Sequence, residues 1–155
     1  MAEKKKQSIE IINRRAKFEF HFIAVLEAGI KLTGTEIKSI RAGNANLRDA
    51  YCLFKNGELF LHSMFVAEYN YGNQFNHEER RVRKLLLKKV ELKKWEKRVK
   101  EKGLSIVPYK LYITERGFAK VEIALGQGKK NYDKRDSIKQ KDLKRDIDRM
   151  KNARF

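Results

Sequence analysis

The side chains of this 155-residue chain best suited to proton transfer or nucleophilic attack are His21, His62, His77, Cys52, Glu27 and Glu36. A catalytic site needs a base within hydrogen-bond reach of its partner and a third group that orients it, and spacing ties none of these six to another. His21 and His62 alternate with apolar residues in strand-like segments, where an imidazole is usually a surface or partner-satisfied group. His77 lies in a polar stretch beside the basic run Arg80-Arg81-Val82-Arg83-Lys84, where a general base for RNA cleavage would fit, yet no second group accompanies it. With one cysteine and scattered histidines there is no internal disulfide and no metal-ligand spacing, so no metal and no cofactor is expected. The run Gly126-Gln127-Gly128-Lys129-Lys130 lacks the four-residue spacer and the hydroxyl of a phosphate loop. Binding chemistry is better represented. Tyr132 sits among Lys129, Lys130, Lys134 and Arg135, which places a stacking surface beside phosphate-neutralising charge.

The elements that must position these groups are legible in part. Residues 1–12 read as a flexible basic start, residues 13–125 as one folded body and residues 126–155 as a basic tail. In the run from Lys17 to Val25 the aromatics recur at every second residue, which predicts a strand with Phe18, Phe20 and Phe22 on one face. Glu27-Ala28-Gly29-Ile30 reads as a turn or helical corner, and residues 30–40 as a bent strand broken at Gly34. Asn56-Gly57 between two apolar runs predicts a type I′ hairpin over residues 51–62. Residues 68–77 read as irregular. Leu92, Trp95 and Val99 predict an amphipathic helix capped by Gly103. Residues 105–114 and 118–125 read as strands, with Pro108 at an edge or bulge. In the tail, Ser137-Ile138-Lys139-Gln140 fits a capping box, followed by Leu143, Ile147 and Met150 at helical spacing. Such a helix would be marginal alone, so it is expected to form when docked.

Charge narrows the partner. There are 37 Lys and Arg against 20 Asp and Glu, a formal charge of +17, and the default partner of such a surface is nucleic acid. From Gly126 onward seven Lys and four Arg stand against five Asp, a composition that cannot bury enough apolar surface to fold alone. Three further groups of cations, Asn13-Arg14-Arg15, Lys38 with Arg41, and Arg81, Arg83, Lys84 and Lys88 beside Leu86, offer phosphate contacts from separate elements. No apolar run approaches the ~18 residues a membrane span requires, and no secretory core follows the N-terminus, so a cytoplasmic protein is expected.

The motifs Asn13-Arg14-Arg15-Ala16, Glu27-Ala28-Gly29-Ile30, Gly34-Thr35-Glu36-Ile37-Lys38-Ser39-Ile40-Arg41, Arg83-Lys84-Leu85-Leu86-Leu87, and Gly128-Lys129-Lys130 with Asp133-Lys134-Arg135 closely resemble the SsrA-binding protein (small protein B) family of bacteria. The resemblance spans the chain from about Asn13 to its end. It implies a mainly β fold, an oligonucleotide/oligosaccharide-binding (OB) type closed antiparallel barrel with helices packed outside and a C-terminal tail disordered when free. It also implies a noncatalytic factor of trans-translation that binds the tRNA-like domain of tmRNA (SsrA RNA) and delivers it with elongation factor Tu to stalled ribosomes. Positions matching Glu27, Leu86 and Lys88 would contribute to tmRNA binding. The tail, through Gly128, Lys129, Lys130, Tyr132, Asp133, Lys134, Arg135, Ile147 and Met150, would enter the small ribosomal subunit near the decoding centre and the vacant messenger path. Lys88 stands where relatives often have His or Asn. A monomer is expected, with no membrane and no small-molecule substrate. Two other functions fit the residues less well: an RNA-processing nuclease using His77, and a constitutive ribosomal structural protein.

Overall fold

The computed structural model describes residues 9–70 and 76–152. The expected flexible start over residues 1–8, the Gly- and Asn-rich part of the irregular stretch over 71–75, and the last three residues lie outside them. Among the described residues the elements begin with β1 (Glu10–Ile12), α1 (Arg14–Glu19), β2 (Phe20–Ile30), α2 (Gly34–Arg41), β3 (Ala45–Asn46), β4 (Tyr51–Lys55) and β5 (Glu58–His62). They continue with β6 (Phe65–Val66), β7 (Arg83–Leu86), α3 (Lys89–Lys102), β8 (Ser105–Ile113), β9 (Ala119–Gly128) and α4 (Asn131–Asn152). The architecture is mainly β with peripheral helices. Seven strands run in the order β1-β8-β4-β5-β7-β2-β9, and β8 also pairs with β9, while β3 and β6 form a separate ladder. Every ladder is antiparallel.

Period-two burial explains the sheet. Leu59 and Leu61 of β5, Leu85 of β7, Leu111 of β8 and Val121, Ile123 and Leu125 of β9 point inward and form one core with Ala28, Ile40, Met64 and Trp95. Cys52 joins this core from β4, and burial pushes its thiol up. Trp95 is the buried anchor of α3, flanked by half-buried Leu92 and Val99, and the helix ends at Gly103 in a left-handed cap, as its sequence predicts. The predicted hairpin is present: Tyr51 faces His62 and Lys55 faces Glu58 across Asn56-Gly57, both at positive φ. Because Gly57 sits at φ 76°, Gly57→Ala is expected to cost about 1 kcal/mol, read as a lower urea midpoint with an unchanged slope. Pro108 lies at the β8–β9 register shift, the bulge its missing N–H requires.

Several segments depart from the sequence-based expectation. Phe18 belongs to α1, so the strand starts at Phe20; Phe20 and Phe22 alone keep the predicted shared face, packed with Ala16, Val107 and Ala124. Helix α1 is short because it is a corner held from outside: Asn13 N–H donates to the Tyr109 carbonyl at 2.7 Å and Lys129 N–H to the Glu19 carbonyl at 2.8 Å. Glu27 to Ile30 is not a turn but the end of β2, paired with β9 and β7. The bent strand expected over residues 30–40 is instead helix α2. Thr33 precedes it, its N–H donating to Glu36 Oε1 at 3.0 Å, half of the reciprocal cap that a Thr-x-x-Glu spacing encodes. Order also starts before Asn13, since β1 pairs Glu10 with Tyr112 and Ile12 with Lys110.

The tail differs most. Residues 131–152 form one continuous helix, where a disordered segment, helical only when docked, is expected from composition. Ser137 is not its N-cap but lies inside it, its hydroxyl donating back to the Asp133 carbonyl at 3.0 Å. Ile138, Leu143, Ile147 and Met150 all remain exposed.

Candidate nucleic-acid interface

Alternation along β2 turns Ile23, Val25, Glu27 and Gly29 outward, leaving two apolar side chains and one carboxylate exposed on a single face. Glu27 accepts from Lys120 Nζ at 2.8 Å, and that hydrogen bond, with one from Tyr112, holds its carboxyl below the usual range. Partial burial and the same Glu27 contact push the Tyr112 phenol up. A side chain at Gly29 would sit 3.2 Å from Leu86 Cβ, so glycine here lets β7 lay Leu86 over the β2 backbone. Leu86 is 52% exposed directly opposite Gly29, two residues from Glu27. On the same side of β7, Lys84 reaches Glu58 at 2.8 Å. Lys88 follows Leu86 by two residues and is exposed, its backbone N–H donating to Glu91 as α3 begins. The structure therefore brings Glu27, Leu86, Lys84 and Lys88 toward one face. Lys120 and Tyr112, which complete the Glu27 site, were not anticipated; the alternations Lys110-Leu111-Tyr112 and Lys120-Val121-Glu122 were the available signal.

Arg83 leaves the list of interface candidates. It is fully buried, its guanidinium bonded through Nε to Glu36 Oε2 and through the remaining nitrogens to the carbonyls of Met64, Arg81 and Glu79. Arg81 completes the site, with Nη2 2.6 Å from Glu36 Oε1. Burial pushes the Glu36 carboxyl up, but the Thr33 N–H, Arg81 and Arg83 outweigh it and hold it below its usual value. This buried acid with two guanidinium groups joins α2 to the segment leading into β7, and its surroundings commit Arg83 to the fold.

His77 is structural as well. It is buried, Nε2 lies 3.0 Å from the Val66 carbonyl and Nδ1 2.8 Å from Thr35 Oγ1. A carbonyl only accepts, so Nε2 carries the proton and Nδ1 accepts from the threonine; neither nitrogen is left for a reacting group. The segment around this residue is irregular, as its polar sequence predicts, but the His77 ring itself is buried within the fold.

The other predicted cations lie on separate elements. The Asn13 side-chain amide donates to the Leu47 and Pro108 carbonyls at 3.3 and 3.2 Å, which ties down the chain entering α1. Arg14 is exposed, and Arg15 pairs with Glu19 at 2.8 Å. On α2, the Lys38 ammonium stands 5.4 Å from the Tyr69 ring centre and Arg41 donates to the Gly117 carbonyl at 3.1 Å. In the tail, Gly128 closes β9 opposite Phe20, and Asp133 lies 3.5 Å from His21. Tyr132 is 61% exposed. Lys130 and Arg135 are exposed, Lys129 and Lys134 half-buried. Among the described residues no three His, Cys, Asp or Glu are grouped to hold a metal, and no helix is long and apolar enough to cross a membrane.

A mainly β body with peripheral helices, a surface rich in cations, and an ion-paired carboxylate beside an exposed leucine give the basic surface characteristic of the nucleic-acid-binding class. Comparison narrows the class. The SmpB protein family profile matches residues 10–153, and the chain belongs to that family. The SsrA-binding protein of Flavobacterium johnsoniae is 54% identical over 147 residues, 95% of this chain and 97% of the relative. That of Phocaeicola vulgatus is 56% identical over 142 residues, 92% and 95% of the two chains. A solved structure described as "tmRNA-SmpB: a journey to the center of the bacterial ribosome" aligns at TM-score 0.67 and 41% identity, over 84% of this chain and 94% of that one.

Proposed function

We propose that this protein binds the tRNA-like domain of tmRNA through the β2–β7 face and, with elongation factor Tu, delivers it to ribosomes stalled on messages without a stop codon. The observation that carries this reading is Glu27 set among Lys120, Tyr112 and Leu86: cations supply affinity for any RNA, whereas a fixed carboxylate can accept from base edges or a ribose hydroxyl and so select among RNAs. Lys84 and Lys88 would neutralise nearby phosphates, and Arg14, Arg15, Lys38, Arg41 and Arg81 would contact RNA from the remaining elements. Residues 13–128 would form an OB-type closed barrel, a reading supported by β8 pairing with β4 on one side and β9 on the other. Residues 129–155 would occupy the decoding region and vacant messenger path of the small subunit, with Tyr132 stacking on a ribosomal base and Lys129, Lys130, Lys134 and Arg135 tracking phosphates. The protein would act in the cytoplasm as a monomer, without catalysis; the double engagement of His77 removes the support for the nuclease alternative.

The test is affinity for the isolated tRNA-like domain against a duplex of equal length. Glu27→Ala is expected to weaken binding to the tRNA-like domain about tenfold or more and to leave duplex binding almost unchanged. A wild-type protein that does not distinguish the two RNAs would overturn the assignment.

A further inference from the structure

Where α4 lies along α1 the two helices enclose a groove of about 310 Å3 lined by Lys17, Lys129, Lys141 and Lys144, the ring of Phe18 and two uncharged polar side chains. No carboxylate lines it. This is unlike the sheet surface and α3, where Lys84, Lys100, Lys110 and Lys120 each have a glutamate within 3.0 Å. One ammonium is fixed in place: Lys129 Nζ bonds the Ser137 hydroxyl at 3.1 Å, which is itself held by the Asp133 carbonyl. The Lys141 ammonium stands 5.9 Å from the Phe18 ring centre, within reach of the ring quadrupole. Four like charges gathered in one concavity repel one another, which weakens the docking of α4 and would be relieved by a bound anion. A phosphodiester has the charge that reverses this repulsion, and the half-buried Phe18 adds a flat apolar surface of the kind on which bases stack.

We propose that this groove is a nucleotide site for single-stranded RNA, with one phosphate among the four lysines and its base against Phe18, and that occupancy holds α4 against the body. The site draws Lys17 and Phe18 from the body and Lys129, Lys141 and Lys144 from the tail, so RNA bound there senses whether the tail is docked. It is separate from the β2–β7 face and does not depend on that face being the tmRNA interface.

The experiment uses the full chain and two labelled probes of equal charge, a uridine hexanucleotide and an abasic ribose-phosphate hexamer. The wild-type protein is expected to bind the uridine probe about tenfold more tightly than the abasic one. Phe18→Leu keeps an apolar side chain at the α1 contact and is expected to bring the ratio close to one. Lys141→Gln with Lys144→Gln is expected to weaken both probes more than Lys93→Gln with Lys97→Gln, which removes the same charge from α3. The uridine probe should slow amide hydrogen exchange along α4 in the wild-type protein but not in Phe18→Leu. A probe ratio unchanged by Phe18→Leu, or equal losses from the α4 and α3 pairs, would overturn the proposal. Affinity of these variants for the tRNA-like domain, run beside Glu27→Ala, separates failure of the groove from failure of the β2–β7 assignment.

Discussion

Glu36→Gln is expected to lower the free energy of unfolding by about 3 kcal/mol, because it leaves the buried Arg83 guanidinium without its counter-ion. Glutamine preserves shape and can still accept from the Thr33 N–H, so the start of α2 stays capped and the loss isolates the charge. Arg81, partly exposed, can turn to solvent; Arg83 cannot. The measurement is a urea midpoint at neutral pH. Its pH dependence gives a second check. The folded Glu36 carboxyl lies below its ordinary value of 4.5, so its contribution is complete above that value and is lost as pH falls through the lower, folded one. Glu36→Gln should remove that part of the acid-side decline. Equal stability of the two proteins at neutral pH would mean that the buried pair contributes nothing beyond its desolvation cost.

Ending the chain after Gly128 is expected to abolish tagging of stalled polypeptides while leaving affinity for the tRNA-like domain nearly intact. The cut belongs there rather than at residue 126, because β9 carries its pairing with β2 through Gly128. Among the described residues no buried hydrophobic side chain lies beyond Leu125. What the body loses is the Lys129 N–H that satisfies the Glu19 carbonyl, the contact of His21 with Asp133 and the Lys141 ammonium over the Phe18 ring, all at the margin of the fold. Reconstituted translation of a message without a stop codon reads the first effect and a binding titration the second. Collapse of binding to the tRNA-like domain on truncation would show that body and tail do not divide the work.

Local signals were the legible ones. Asn56-Gly57 specifies its hairpin within four residues, and Leu92, Trp95, Val99 and Gly103 carry both the face and the end of α3. The tail's charge likewise set it apart from the body. The failures came where two codes overlap. The aromatic alternation through Phe18, Phe20 and Phe22 runs across the boundary between α1 and β2, so periodicity alone could not find the break. Gly34 looked like a strand interruption, although Thr33-x-x-Glu36 marked the start of a helix. Arg83 was indistinguishable from its neighbouring cations because its partner Glu36 stands 47 residues earlier, and only the tertiary fold buries this guanidinium completely while leaving Arg80 exposed and Arg81 and Lys84 half-buried. Glu27 and Leu86 were singled out by resemblance, and the β2–β7 register supplies the physical reason they lie together.

The placement of sulfur decides how this molecule meets oxidants. Cys52 is buried and its thiol is held away from the reactive thiolate, so neither a sulfenic acid nor a disulfide-linked dimer forms readily. Met64 is fully enclosed, whereas Met150, on the outer side of α4, is 70% exposed. Among the described residues, peroxide damage therefore concentrates on one thioether, and the sulfoxide it makes would roughen the apolar side of the tail helix while sparing the body, a lesion open to repair by methionine sulfoxide reductases.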